Sequence, residues 1–312
     1  MARRIKEECR RSDVALMHFH YQYASVVGAR VARRQGLPYV TFTHGSLNRY
    51  GISRSNAPVK RIYLALFEKW NFQKALFLAY HSQEEMDNSL RFGRAEVVPN
   101  GIDPRDFGAL PERGLFRQKY PESDGRLTFL FLGRLAPGKG IDILVKAFRR
   151  VASQTNAHLF VVGGDERGYE SGLRQLVADF GLQEHITFTG PLTGEAKLSA
   201  LRDADVFVLP SFSEGLSIAM LEAMFMKLPV VTTDRVGLHR QIREKHCGLV
   251  VPPDTDSFAQ ALLRIAGDPA RAEAGERGHR LVAAHYTWSK IAQELIEMIR
   301  ASMHITRPTP RF

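Results

Sequence analysis

Glu214 and Glu222, with the short polar turn between them, are the residues of this chain best suited to chemistry. An apolar run, Val206 to Leu209, stops at Pro210. The segment Ser211-Phe212-Ser213-Glu214-Gly215 follows, and a helix-forming stretch runs from Leu216 to Met226. That pattern predicts a strand, a turn and a helix. The helix is apolar almost all round yet carries Glu222, and a buried unpaired carboxylate is costly, so Glu222 requires a donor from the protein or from a ligand. Two carboxylates framing a helix N-terminus at the C-terminal end of a strand suit a ligand with hydroxyls for the carboxylates and an anion for the free amides. A nucleotide-sugar has both. The plainer alternative is a helix start capped by Ser213, with Glu222 incidental.

A second cluster lies in GRLAPGKG, residues 133–140. Gly133, Gly138 and Lys139 fit the spacing of a phosphate-binding P-loop, but Gly140 stands where that loop needs a Ser or Thr to hold magnesium, which argues against an ATPase. Asp203/Asp205 and Asp254/Asp256 imitate a metal-binding Asp-x-Asp. The first pair runs straight into the strand before Pro210 and the second opens a helix, so both are read as structural and no metal site is expected.

SEGLSIAMLEAM, with seven residues between its two glutamates, resembles the donor signature of the retaining glycosyltransferases of the GT-B fold, family 4. GRLAPGKGIDILVKAF, Gly133 to Phe148, resembles the phosphate-binding segment of the same family. The resemblance implies an α/β protein of two Rossmann-like doubly wound domains, the first abbreviated, because the family's opening strand and Gly-rich loop have no counterpart here. It implies that Arg134 and Lys139, beside Gly133, reach the donor diphosphate in place of a metal. Glu214 would face the donor sugar's hydroxyls, Glu222 would accept from the ribose diol, and Gly215, Leu216 and Ser217 would offer backbone amides to sugar and phosphate. His44, in TFTHG, matches the first-domain His that the family places over the donor sugar across the cleft. His18 and His20 are read as core or edge residues of a strand. The implied activity is transfer of a hexose from a nucleoside diphosphate sugar to a saccharide, lipid-linked or small-molecule acceptor hydroxyl, with retention and without a cofactor. A non-catalytic nucleotide-sugar-binding subunit, or a truncated enzyme needing a partner chain, is the alternative. The chain departs from the family at Lys227, where Gly is usual, and at Arg235-Val236-Gly237, where a Gly-Gly pair is common.

The elements that must position these residues follow from alternating apolar and helix-forming segments. Strands are expected at 13–20, 37–45, 76–82 and 95–101, then at 127–133, 158–164, 186–190, 205–211, 229–233 and 248–253. Domains are expected at 1–103 and 104–286, with a last helix crossing back to the first domain over 287–312 and a frayed tail RPTPRF. Strand 13–20 should lie at a sheet edge. Its apolar core lacks the charges that usually protect an edge, so a partner chain, an oligomer or a longer polypeptide is expected to cover it.

Composition narrows the setting. Net charge is +10, with 17 Lys+Arg against 10 Asp+Glu in residues 1–108. A basic first third can face anionic lipid or an acidic acceptor; no zinc finger or RNP-like segment accompanies it, so nucleic acid is not an expected partner. Apolar residues 59, 62, 63, 66, 67 and 70 share one side of a predicted helix over 58–75. The expectation is an ordinary sheet-covering helix, with peripheral membrane contact as the alternative. The N-terminus is charged where a signal peptide needs an apolar core, no apolar run reaches the roughly 18 residues of a span, and Cys9 and Cys247 lie far apart. A cytoplasmic protein with unpaired thiols is expected.

Overall fold

The computed structural model describes residues 2–18, 22–49, 52 and 57–306. His20 and the tail RPTPRF lie outside the described residues. The chain divides into two compact units, residues 1–100 with 289–312, and residues 101–288.

The first unit holds four parallel strands in chain order, β1 (Ala15–His18), β2 (Tyr39–Phe42), β3 (Leu78–Tyr80) and β4 (Ala95–Val97). β1 is an edge, as expected, and its Leu16 is 43% exposed. One sheet face packs Val40, Phe42, Phe77 and Ala79 against Ile291 and Ile299, so the last helix, Trp288–Thr306, completes this unit's core. On the other face Leu78 and Tyr80 pack with Leu47, Leu64 and Phe72.

The helical segment after β2 covers the sheet, as expected, but not with the side read from the sequence. It runs as Ala57–Tyr63, a π-turn Leu64–Glu68 and Lys69–Lys74. Its inward face carries Leu64, Glu68, Asn71 and Phe72, whereas the apolar side read from the sequence points to solvent, with Leu66 70% exposed and Trp70 65%. The segment is apolar on two opposite sides, and periodicity alone does not say which one the sheet takes.

The second unit is a six-stranded parallel sheet in the order β10-β9-β8-β5-β6-β7, with β5 (Leu127–Leu132), β6 (Ala157–Val162), β7 (Ile186–Gly190), β8 (Val206–Leu209), β9 (Val230–Thr233) and β10 (Gly248–Val251). This is the doubly wound order, and it reverses between β5 and β8, where such sheets bind ligands. Three of the four aspartates in the two pairs have structural partners. Asp203 accepts from the amides of Gly114 (2.7 Å) and Phe116 (2.9 Å). Asp205 accepts from Thr128 N (2.8 Å) and Arg117 (3.0 Å), and Asp254 caps the helix Thr255–Ala266 through Ser257 N (2.8 Å). Lys227 keeps the left-handed conformation (φ 65°) that glycine adopts freely, at a cost of roughly 1 kcal/mol. No helix among the described residues is long and apolar enough to cross a membrane.

His158, fully buried in β6, meets Thr187 Oγ1 at 2.9 Å, and burial pushes its pKa from 6.5 down to about 4. Its folded-state pKa lies below the unfolded value, so the unfolded chain binds the extra proton. The stability it contributes is intact above pH ~6.5 and is lost as pH falls toward ~4, on the order of 3 kcal/mol in all. Urea unfolding at a series of pH values should therefore show the second unit weakening over that window. His158→Phe should flatten the dependence; an unchanged slope would remove His158 as its cause.

Candidate active site

The site of the second unit is built at the strand ends where the sheet order reverses. After β5 the chain passes Gly133 and Arg134, makes a single tight turn over Pro137–Lys139, and enters the helix Ile141–Gln154 at Gly140. Gly140 has φ 67°, and a Cβ there would sit 2.2 Å from the carbonyl oxygen of Pro210, so only glycine lets the turn lie against the end of β8. Phe212 N donates to Gly138 O at 3.0 Å and joins the two loops. That junction brings Lys139 Nζ onto Glu214 Oε2 as an ion pair whose side chains are only 19% and 18% exposed. The two residues lie in separate sequence motifs. In this half-sealed pair each group is a strong ligand for a substrate group that displaces the other.

Glu214 is fixed by its backbone. Its amide donates to Arg235 O (3.0 Å), and Gly237 N donates to its carbonyl (2.9 Å), so the Arg235-Val236-Gly237 departure forms a parallel bridge beside the turn. The helix Ile218–Phe225 is capped by Ser217, not Ser213; Ser217 Oγ accepts from Met220 N at 3.3 Å. Among the described residues no acceptor meets the amides of Gly215, Leu216 or Ser217. Three amides next to a helix start and an ammonium form a local positive field.

Glu222, one turn into this helix, has the donor its burial demands. Lys197 Nζ lies 2.7 Å from Glu222 Oε1, with side-chain exposures of 27% and 14%. Lys197 stands on the helix Gly194–Asp203, and sequence reading missed it because nothing local marks it. Arg134 is not gathered with these groups: it is 73% exposed and pairs with Glu166 Oε2 at 2.6 Å. An exposed pair of this kind is weak, so it leaves the guanidinium available to a stronger anion.

In the first unit, His44 follows β2 with φ 46° and forms the middle of a three-histidine chain. The carbonyl of Val98 can only accept, so His81 Nδ1–H donates to it (3.2 Å) and His81 Nε2 is left as an acceptor. His44 Nδ1–H then donates to His81 Nε2 (2.9 Å), and His18 Nδ1–H donates to His44 Nε2 (2.9 Å). Burial, then His81 and His18, hold the pKa of His44 down to about 4, and burial lowers that of His18. His44 is thus a neutral imidazole at pH 7. Buried Glu85 fixes the surrounding turns by accepting from Gly45 N (2.7 Å), Thr43 Oγ1 (2.8 Å) and His81 N (2.9 Å). His18 is the edge-strand residue expected and is also a hydrogen-bonding partner of His44, while His81 and Glu85 carried no signal in the sequence.

Comparison with known proteins accords with this architecture. Residues 126–268 match the family described as Glycosyl transferases group 1, and residues 1–106 match Glycosyltransferase Family 4. An uncharacterized glycosyltransferase of Methanocaldococcus jannaschii is 28% identical over 302 residues, covering 93% of this chain and 76% of its own. The D-inositol 3-phosphate glycosyltransferase of Nocardia farcinica is 28% identical over 304 residues, covering 92% and 66%. Among solved structures, HepE of Anabaena in complex with UDP-glucose superposes with a TM-score of 0.77 at 20% identity, over 96% of this chain and 82% of that one, and shares the fold.

Proposed function

The chain belongs to the group 1 glycosyltransferases of family 4 and is a glycosyltransferase of the GT-B fold, and from that premise we propose a metal-independent transfer of a hexose from a nucleoside diphosphate sugar to an acceptor hydroxyl, with retention. The observation that carries the reading is the Lys139–Glu214 pair beside the open amides of Gly215, Leu216 and Ser217. When the donor enters, its diphosphate takes the ammonium of Lys139 and its sugar hydroxyls take the carboxylate of Glu214, so each side of the ion pair exchanges one partner for another. Arg134 leaves Glu166 to add a second cation, Gly133 leaves room for the phosphate, and Glu222, held in place by Lys197, accepts from the ribose diol. In the first unit, the neutral imidazole of His44 meets a substrate hydroxyl through Nε2 when that hydroxyl takes the place of His18.

The chemical step is a same-face displacement. The bond from the anomeric carbon to the phosphate oxygen breaks, the bond to the acceptor oxygen forms, and the acceptor's proton passes to the departing diphosphate, whose growing charge Lys139 and Arg134 stabilise. Neither glutamate acts as nucleophile. The reaction is assigned to the cytoplasmic side, with the open edge of β1 as the place for a partner chain.

The test is calorimetry with uridine and guanosine diphosphates, in excess EDTA, on the parent chain and Glu222→Gln. UDP comes first because the Anabaena neighbour binds UDP-glucose. One of the two should bind the parent in EDTA, and the variant should lose about 1.5–3 kcal/mol of that affinity, the worth of a hydrogen bond to a charged acceptor. Equal affinity in the variant would overturn the ribose role, and binding or transfer that returns only with manganese would overturn metal independence.

A further inference from the structure

The solvent side of the helical segment 57–74 carries Val59, Ile62, Leu66 and Trp70, exposed by 66%, 59%, 70% and 65%. They fall on one line along the segment and do not hold it to the core, since Leu64 and Phe72 do that from the opposite side at 2% and 1% exposure. Beside the stripe runs a groove of about 700 Å³ in which Arg49, Arg61, Lys69 and Arg91 surround an apolar floor of Leu64, Leu90 and Phe92. Its nearest carboxylate pairing is Arg91 with Asp87 at 3.5 Å, exposed and weak. The segment's one acidic residue, Glu68, is buried, and the adjacent helix Tyr23–Arg34 has three arginines and no acid. One of those arginines reaches the stripe, Arg33 over Trp70 at 5.6 Å, and Arg30 lies over the neighbouring Phe67 at 5.9 Å.

We propose that this face of the first unit docks on an anionic phospholipid surface, with the Val59–Trp70 stripe entering the interfacial layer and lipid phosphates settling in the groove of Arg49, Arg61, Lys69 and Arg91. Charge and apolarity together select the occupant. Nucleic acid would satisfy the cations but leave the stripe wet, and a second copy would cover the stripe while pressing two sets of cations together. A bilayer of anionic lipid meets both demands at adjacent depths, phosphate at the level of the groove and acyl carbon at the level of Leu66 and Trp70.

Co-sedimentation of the full chain with vesicles of phosphatidylcholine, with and without phosphatidylglycerol, tests this. The parent should bind the anionic vesicles and not the neutral ones. The indole emission should shift to the blue in a Trp288→Phe background, where Trp70 is the remaining tryptophan. Leu66→Ser/Trp70→Ser and, separately, Arg61→Glu/Lys69→Glu should each lower binding at least ~10-fold. Both should melt like the parent, because the altered side chains are exposed. Arg264→Glu, on the second unit, should bind like the parent. The proposal is overturned by equal binding to neutral vesicles, by no binding to either, by stripe variants that bind normally, or by a stripe-dependent dimer without vesicle binding.

Discussion

Replacing Lys139 by Met should lower kcat and kcat/KM together by about a hundred- to thousandfold, the usual loss when one stabiliser of developing transition-state charge is removed. The reason is twofold. The departing diphosphate loses its half-buried ammonium, and Glu214, only 18% exposed, is left without its partner. Leaving a buried charge unpaired is destabilising by itself, so a drop in melting temperature should accompany the loss of activity. Lys139→Met/Glu214→Gln separates the two effects. Removing both charges should restore much of the stability while activity stays low. Steady-state rates and thermal melts on the three proteins decide it: a Lys139→Met enzyme within tenfold of the parent would mean that the leaving group is stabilised elsewhere.

A second large effect is expected from one methyl group. Gly140→Ala puts a Cβ 2.2 Å from the carbonyl oxygen of Pro210 at a residue with φ 67°. Left-handed strain of roughly 1–2 kcal/mol adds to an overpacking cost of roughly 1–3 kcal/mol, and the clash lies between two stretches of backbone that cannot rotate away. The turn over Pro137–Lys139 must then separate from β8, which carries Lys139 away from Glu214, so transfer should fall along with stability. Gly172→Ala supplies the contrast within the same unit. It lies inside the helix Tyr169–Asp179, and nothing stands within 4 Å of its added Cβ. That exchange should raise stability by roughly 0.5–1 kcal/mol. Urea midpoints moving in opposite directions for the two Gly→Ala changes would confirm that contact at Pro210 sets the sign; parallel shifts would refute it.

The ten expected strands all occur among the described residues. A strand buried in a parallel sheet must be apolar on both faces, and that requirement writes itself into a short run such as Val206 to Leu209. The turn chemistry was legible for a similar reason. Lys139 and Gly140 stand at the entry to a helix, and Glu214 at the end of a strand, in positions that local spacing defines. The Glu222 argument went halfway: burial required a donor, but periodicity could not name Lys197.

By itself, then, the sequence determined the order of strands and helices, the two loops that end at the sheet's reversal, and the presence of one carboxylate inside an apolar helix. These follow from interactions between residues a few positions apart. Tertiary structure alone decided that Lys139 pairs with Glu214, that Lys197 answers Glu222 and that His81 sets the tautomer of His44. It also decided which side of segment 57–74 meets the sheet. Each of these depends on which strand ends become neighbours, and a segment apolar on two sides carries no local preference between them. The physical reason is that hydrogen-bond and ion-pair partners are chosen by distance in space, whereas sequence patterns record only the periodicity of burial along one element.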